Sequence, residues 1–106
     1  MAIMAGKMDE RVTIQTPSAD RNQLGEATIE WSALKTVWAS VDGLSSREVL
    51  QAMQANVIAS HRIRIRYLEG VTPHCRIVWR GRTMEIASVT ERMKHTMYEL
   101  LVREVM

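Results

Sequence analysis

Residues 59–68 read Ala-Ser-His-Arg-Ile-Arg-Ile-Arg-Tyr-Leu. Apolar and charged side chains alternate with a period of two, the repeat of a strand with one face in a core and the other in water. His61, Ile63, Ile65 and Tyr67 share the first face, and Arg62, Arg64 and Arg66 the second. Side chains two apart on a strand stand about 6.6–7 Å apart, so three like charges repel along their face. Cross-strand acids such as Glu85 or Glu99, a partner's carboxylates or DNA phosphates would each offset that repulsion. The stripe reads equally as a solvated face with cross-strand pairs and as an interface.

Working outward, the same alternation recurs. Val12 and Ile14 alternate with Arg11, Thr13 and Gln15, which predicts a strand over residues 9–16. Residues 17–27 (PSADRNQLGEA) are polar and rich in turn formers, predicting an exposed loop. A second strand region covers residues 28–41 and ends on the turn signal Asp42-Gly43. On the far side, residues 69–73 form a turn, residues 76–80 and 82–90 form a hairpin about Gly81, and residues 91–95 form a polar connection. Residues 96–105 supply a final strand. Arg80 and Arg82 read as exposed turn residues beside that glycine. Trp38 and Trp79 read as core, and Trp31 as core or as a protein–protein contact, where tryptophan is enriched.

One segment breaks the pattern. Ser45-Ser46-Arg47-Glu48 fits a capping box, and good helix formers follow through Ala55. A helix of two to three turns does not persist alone in water. It must dock on the body or on a partner. About six short strands and one helix make a mainly β chain, a small antiparallel barrel or sandwich whose edges need closure or neighbours.

Composition bounds the function. At 106 residues and 46% hydrophobic content the chain suits one globular core. A formal charge of +2, although eleven of fourteen basic residues are arginine, gives little support to a dedicated nucleic-acid binder. The single cysteine, Cys75, leaves no internal disulfide and suits a reducing compartment. The opening residues hold no apolar run long enough for a signal peptide, and nowhere do about 18 apolar residues run together. Folding in a cytoplasm is expected.

Catalytic chemistry is not evident. His74 and Cys75 are adjacent, so on an extended chain they point to opposite faces, a poor geometry for a nucleophile pair. His61 lies on the apolar face of its strand and reads as a core-edge histidine. No metal-ligand spacing, close carboxylate pair or glycine-rich phosphate loop is present in the sequence.

The order of these pieces resembles the head–tail joining, or head-closure, family of tailed phages. The resemblance is carried by Arg11-Val12-Thr13-Ile14-Gln15, by Gly25 through Trp31, and by Val37-Trp38-Ala39-Ser40-Val41. Leu44 to Glu48, His61 to Tyr67, and Gly70 to Pro73 with Arg76-Ile77 continue it. Gly81-Arg82, Glu85-Ile86 and Glu99 to Glu104 complete it, so that it spans nearly the whole chain from Lys7 onward.

The resemblance implies a flexible extension at residues 1–6 and a single β-barrel domain at 7–106 with a helix-bearing insertion at 43–57. It implies a ring of twelve copies in the neck of the virion, beneath the portal and its adaptor. There the ring joins the tail proteins, including the tail-completion protein, and helps retain the double-stranded DNA that passes through its channel. Ser45, Arg47, Glu48, Gln51 and Gln54 are then candidate channel lining. Arg62, Arg64, Arg66, Trp31 and Arg82 are candidate contacts between subunits or with partners. No catalytic residue, metal, cofactor, small-molecule substrate or membrane is implied. A tail-completion or minor tail protein, and an OB- or SH3-like nucleic-acid module using the arginine stripe, are the rival readings. Against the module, the arginine face lacks the interleaved aromatics on which bases would stack.

Overall fold

The computed structural model describes residues 8–21, 25, 27–94 and 96–105. Its elements run β1 (Glu10–Arg21), β2 (Ala27–Gly43), α1 (Ser46–Gln54), β3 (His61–Arg66), β4 (Arg76–Trp79), β5 (Arg82–Arg92) and β6 (Met97–Val105). The six strands close into an antiparallel barrel in the order β1-β2-β3-β6-β5-β4, with β4 returning to β1. The mainly β barrel with one short helix is what the alternation and the capping box imply.

Inward positions fill the barrel. Val12 and Ile14 on β1, Ile63 and Ile65 on β3, Ile77 on β4, Met84 on β5, and Leu100 and Val102 on β6 are almost wholly buried. Their spacing of two on each strand places them on one face. Cys75 and Val71, from the loop before β4, join the same cluster. No described helix is long and apolar enough to cross a membrane.

The β4–β5 loop consists of Arg80 (φ 51°) and Gly81 (φ 76°). Two central residues at positive φ match a hairpin turn whose twist follows that of its strands. Met93 and Lys94 adopt positive φ between β5 and β6. His95 and the extension expected at residues 1–6 lie outside the described residues.

The structure overturns part of the sequence reading. Where residues 17–27 are expected as a loop, β1 continues to Arg21 and pairs with β2 from Ala27, Arg21 opposite Ala27. Because β1 meets β4 only over Thr13, Ile14 and Gln15, and β2 meets β3 only from Ala39 to Gly43, residues 16–21 and 27–32 pair with each other alone. They form a two-stranded arm beyond the barrel, and the molecule measures 53 × 28 × 27 Å. A register shift between Ile14 and Gln15 marks where the arm leaves the barrel wall, in keeping with the bend a bulge imposes.

Trp38 is not core. It is 54% exposed and lies under the Arg11 guanidinium at 4.8 Å. Strand parity explains this, since Trp38 falls between Val37 and the buried Ala39. Tyr67 does not follow Ile63 and Ile65 inward, because β3 ends at Arg66; it stacks on Tyr98 with ring centroids 5.1 Å apart. Gly43 is no turn. It pairs with His61 as the last residue of β2.

Replacing Ile63 by Ala is expected to lower the unfolding free energy by about 2–5 kcal/mol. Trp38→Ala is expected to cost about 1 kcal/mol or less, an exposed cation–π contact being the main loss. Urea denaturation of the two variants measures both, and a larger loss for Trp38→Ala would contradict its outward placement.

Candidate functional site: the insertion helix and the arginine face

The insertion begins where β2 ends. Ser45 has an extended backbone, and its Oγ accepts from the Glu48 amide at 3.2 Å while its own amide donates to Glu48 Oε1 at 3.2 Å. This is the capping box read from the sequence, and it satisfies two of the donors that a helix N-terminus leaves over. The helix runs Ser46–Gln54, and none of its residues is buried. At about 100° per residue, Arg47, Gln51 and Gln54 fall on one side, and Val49, Leu50 and Met53 on the other. Leu50 and Met53 are 60% and 54% exposed.

Glu48 does a second job. Its other carboxylate oxygen accepts from Arg62 on β3. Arg62 Nε lies 3.8 Å from Glu99 on β6, and Arg64 Nε reaches the same carboxylate at 3.1 Å. Arg92 on β5 approaches it at 3.4 Å. Three guanidiniums thus surround two carboxylates across β3, β5, β6 and the helix. Hydrogen bonds from Arg62, and then from Ser45, hold Glu48 below the usual carboxylate range.

The structure accordingly spends two arginines of the stripe on cross-strand and helix pairs, while Arg66 is exposed. Of the two expected counter-ions, Glu99 lies opposite Arg64 in the β3–β6 register. Glu85 lies opposite Arg103 instead and pairs with it. Arg82 pairs with Glu104 on β6, which raises the arginine and lowers the acid. Both Arg80 and Arg82 lie over the Trp79 ring, at 5.2 and 5.1 Å, and Trp79 Nε1 donates to Glu10 at 2.9 Å.

Trp31 stands elsewhere, on the arm. Arg76 lies over it at 4.2 Å and donates to Gln15 at 2.6 Å. Together they border a surface groove of about 440 Å³. Its floor is a cross-strand row on β4, β5 and β6, Arg76 opposite Glu85 and Glu85 opposite Arg103. Its rims are Trp31 on one side and residues 56–58, just after the helix, on another. The sequence singled out Trp31 but not this groove, because residues from five separate segments form it.

Cys75 is buried and His74 exposed. The thiol lies 3.6 Å from the Gly70 carbonyl, 3.5 Å from the Thr72 amide and 3.7 Å from the Thr72 hydroxyl, so its polar neighbours belong to its own loop. Among the described residues, no three His, Cys, Asp or Glu side chains gather as a metal site.

The model of a family described as phage head completion protein matches residues 3–105. The solution structure of a protein from Shigella flexneri 2a is similar at 32% identity with a TM-score of 0.79, covering 93% of this chain and 94% of that one. A chain from the virion of a native gene transfer agent particle shares the fold at 17% identity with a TM-score of 0.59, over 92% and 94% of the two chains. No curated protein matches the sequence.

Glu48 joins the helix cap to the barrel, so Glu48→Gln is expected to speed amide exchange in residues 49–55 while leaving β3 and β6 protected. Acidification acts the same way. A carboxylate with a lowered folded pKa contributes stability above its unfolded pKa and loses it as pH falls through the folded value. Exchange read by mass spectrometry from neutral pH downward should therefore show the helix opening before the barrel.

Proposed function

The chain belongs to the phage head completion protein family, and on that footing we propose that it is a structural protein of the virion neck that closes the filled head and receives the tail. In this reading twelve copies form a ring below the portal-bound adaptor, and the packaged DNA passes through its centre. Tail-completion and tail proteins bind the opposite side. The role is mechanical and needs no cofactor or small-molecule substrate.

The observation that carries the reading is the helix outside the barrel. It is capped at its N-terminus and amphipathic, yet it buries none of its residues in its own chain. Such an element adds little to a monomer and gains order from neighbours. We assign the insertion at 43–57 to the channel side of the ring, with Arg47, Gln51 and Gln54 toward the DNA. Ser45 and Glu48 hold the cap. Arg62 and Arg64 brace the helix and the β3–β6 wall, leaving Arg66, Trp31 and Arg82 as the more outlying candidate contacts. A net charge of +2 suits a channel through which DNA slides, since strong phosphate neutralisation would hold it back. The pairing of Arg62 and Arg64 with acids weighs against a nucleic-acid module built on that stripe.

Deleting residues 46–55 is expected to leave a folded barrel, seen as retained β-sheet circular dichroism and cooperative unfolding, while filled heads assembled with the variant leak DNA. DNA retention equal to the unaltered protein would refute the assignment of the insertion. The isolated chain is expected to be a monomer or weak oligomer by analytical ultracentrifugation, and a stable dodecamer at low micromolar concentration would contradict that.

A further inference from the structure

The groove at the root of the arm carries a positive charge that no acid of its own floor answers. That floor is a row of three charges across three strands, Arg76 on β4, Glu85 on β5 and Arg103 on β6. Glu85 stands between two arginines and pairs with one of them, Arg103. Arg76 instead gives its Nε to the neutral side-chain oxygen of Gln15 at 2.6 Å and lays its guanidinium over the Trp31 ring at 4.2 Å. Among the described residues it forms no ion pair, and its terminal nitrogens take no part in the bond to Gln15. His74, on the same border, can only add to the positive side. A guanidinium held by its face and by its Nε is fixed before any ligand arrives, so little side-chain entropy is left to lose on binding.

We propose that the groove docks an extended segment of another protein, in which an Asp or Glu carboxylate meets Arg76 and flanking apolar side chains lie against Trp31, Ile58 and Val105. The unanswered charge selects an acid, because the terminal nitrogens of an arginine form a fork that carboxylates and phosphates both fit. The rest of the groove decides between the two. Its walls are apolar, and Ile58 is 62% exposed, which suits the side chains of a peptide. Glu85 on the floor repels the phosphates that flank any one bound to Arg76. A single excess charge is also too little for a nucleic-acid strand, whose affinity comes from neutralising several phosphates together. One face of Trp31 is already taken by Arg76, which leaves less of the ring for a base to stack on. At about 440 Å³ the groove has the size of a small-ligand cleft, roughly 300–1,000 Å³, and holds a few side chains. That the segment belongs to another protein of the virion rests on the reading above, whereas the charge argument does not.

The test titrates end-blocked peptides into the isotope-labelled full chain and follows the Trp31 indole and Arg76 Nε–H resonances by NMR. The probes are Gly-Leu-Glu-Leu-Gly, a twin with Gln for Glu, and a twin with Ser for both Leu. The Glu peptide is expected to shift both resonances and to bind about three- to tenfold tighter than the Gln twin, since charge-assisted hydrogen bonds are roughly twice as strong as neutral ones. The Ser twin should bind several-fold more weakly through lost apolar burial. Glu85→Gln removes the floor's own acid without touching Gln15 or Trp31, and should tighten the Glu peptide about threefold by freeing Arg103. Arg76→Gln should erase the preference for Glu over Gln; because it also releases Trp31, the gain in Glu85→Gln is the independent check. Equal affinity for the Glu and Gln peptides, or an unchanged or weakened affinity in Glu85→Gln, would overturn the proposal. So would an oligothymidylate that shifts the same resonances as strongly, which would make the groove a phosphate site. Shifts that grow with protein concentration alone would overturn it too, in favour of a second copy. The peptides probe the groove, and DNA retention by filled heads probes the neck reading, so either can fail without the other.

Discussion

Everything in this fold depends on three residue pairs. Thr13, Ile14 and Gln15 of β1 lie opposite Val78, Ile77 and Arg76 of β4, and this short ladder closes the sheet into a barrel. Without it both strands would be open edges, and the apolar interior would face water along one seam. Ile14 and Ile77, paired across the seam, are wholly buried. At one end the seam is reinforced by Glu10, whose carboxylate accepts from Trp79 Nε1 at 2.9 Å and from Arg80 at 3.0 and 3.1 Å. At the other end Arg76 binds Gln15 and covers Trp31.

Because the seam is so short, β1 and β2 are free to leave the wall together after Gln15, and the arm is the consequence. A two-stranded ribbon is marginal by itself in water. Here it is anchored where Trp31 packs beneath Arg76, and its two strands are tied to each other where Ser18 Oγ donates to the Glu30 carbonyl at 3.2 Å. The arm's root then becomes one wall of the groove, so barrel closure and the groove share Arg76.

The charged outer face is organised by register. Arg64 meets Glu99, Glu85 meets Arg103, and Arg82 meets Glu104, each across two neighbouring strands or their ends. Exposed pairs of this kind contribute little stability, about 0–1 kcal/mol each. Their effect is to cancel the repulsion of the arginine stripe and to fasten the insertion helix through Arg62 and Glu48. The helix is thereby positioned on the barrel without being locked into its core.

By itself the sequence determined the strand count, the inward Ile63 and Ile65 of β3, the β4–β5 hairpin and the capped helix, because each rests on local spacing or on a cap within four residues. It did not reveal the arm, since a ribbon with water on both faces has no apolar period, and residues 17–27 show only their polarity. The outward side of Trp38 was present in the alternation of Val37, Ala39 and Val41, but the bulk of its ring outweighed its parity. Which acid answers which arginine was decided only by the tertiary structure. Glu99 and Glu85 are equally acidic, and only the β3–β6 and β5–β6 registers set the first opposite Arg64 and the second opposite Arg103. The groove belongs to the same class. Trp31, Arg76, Ala87 and Val105 are distant along the chain, and only barrel closure brings them to one surface.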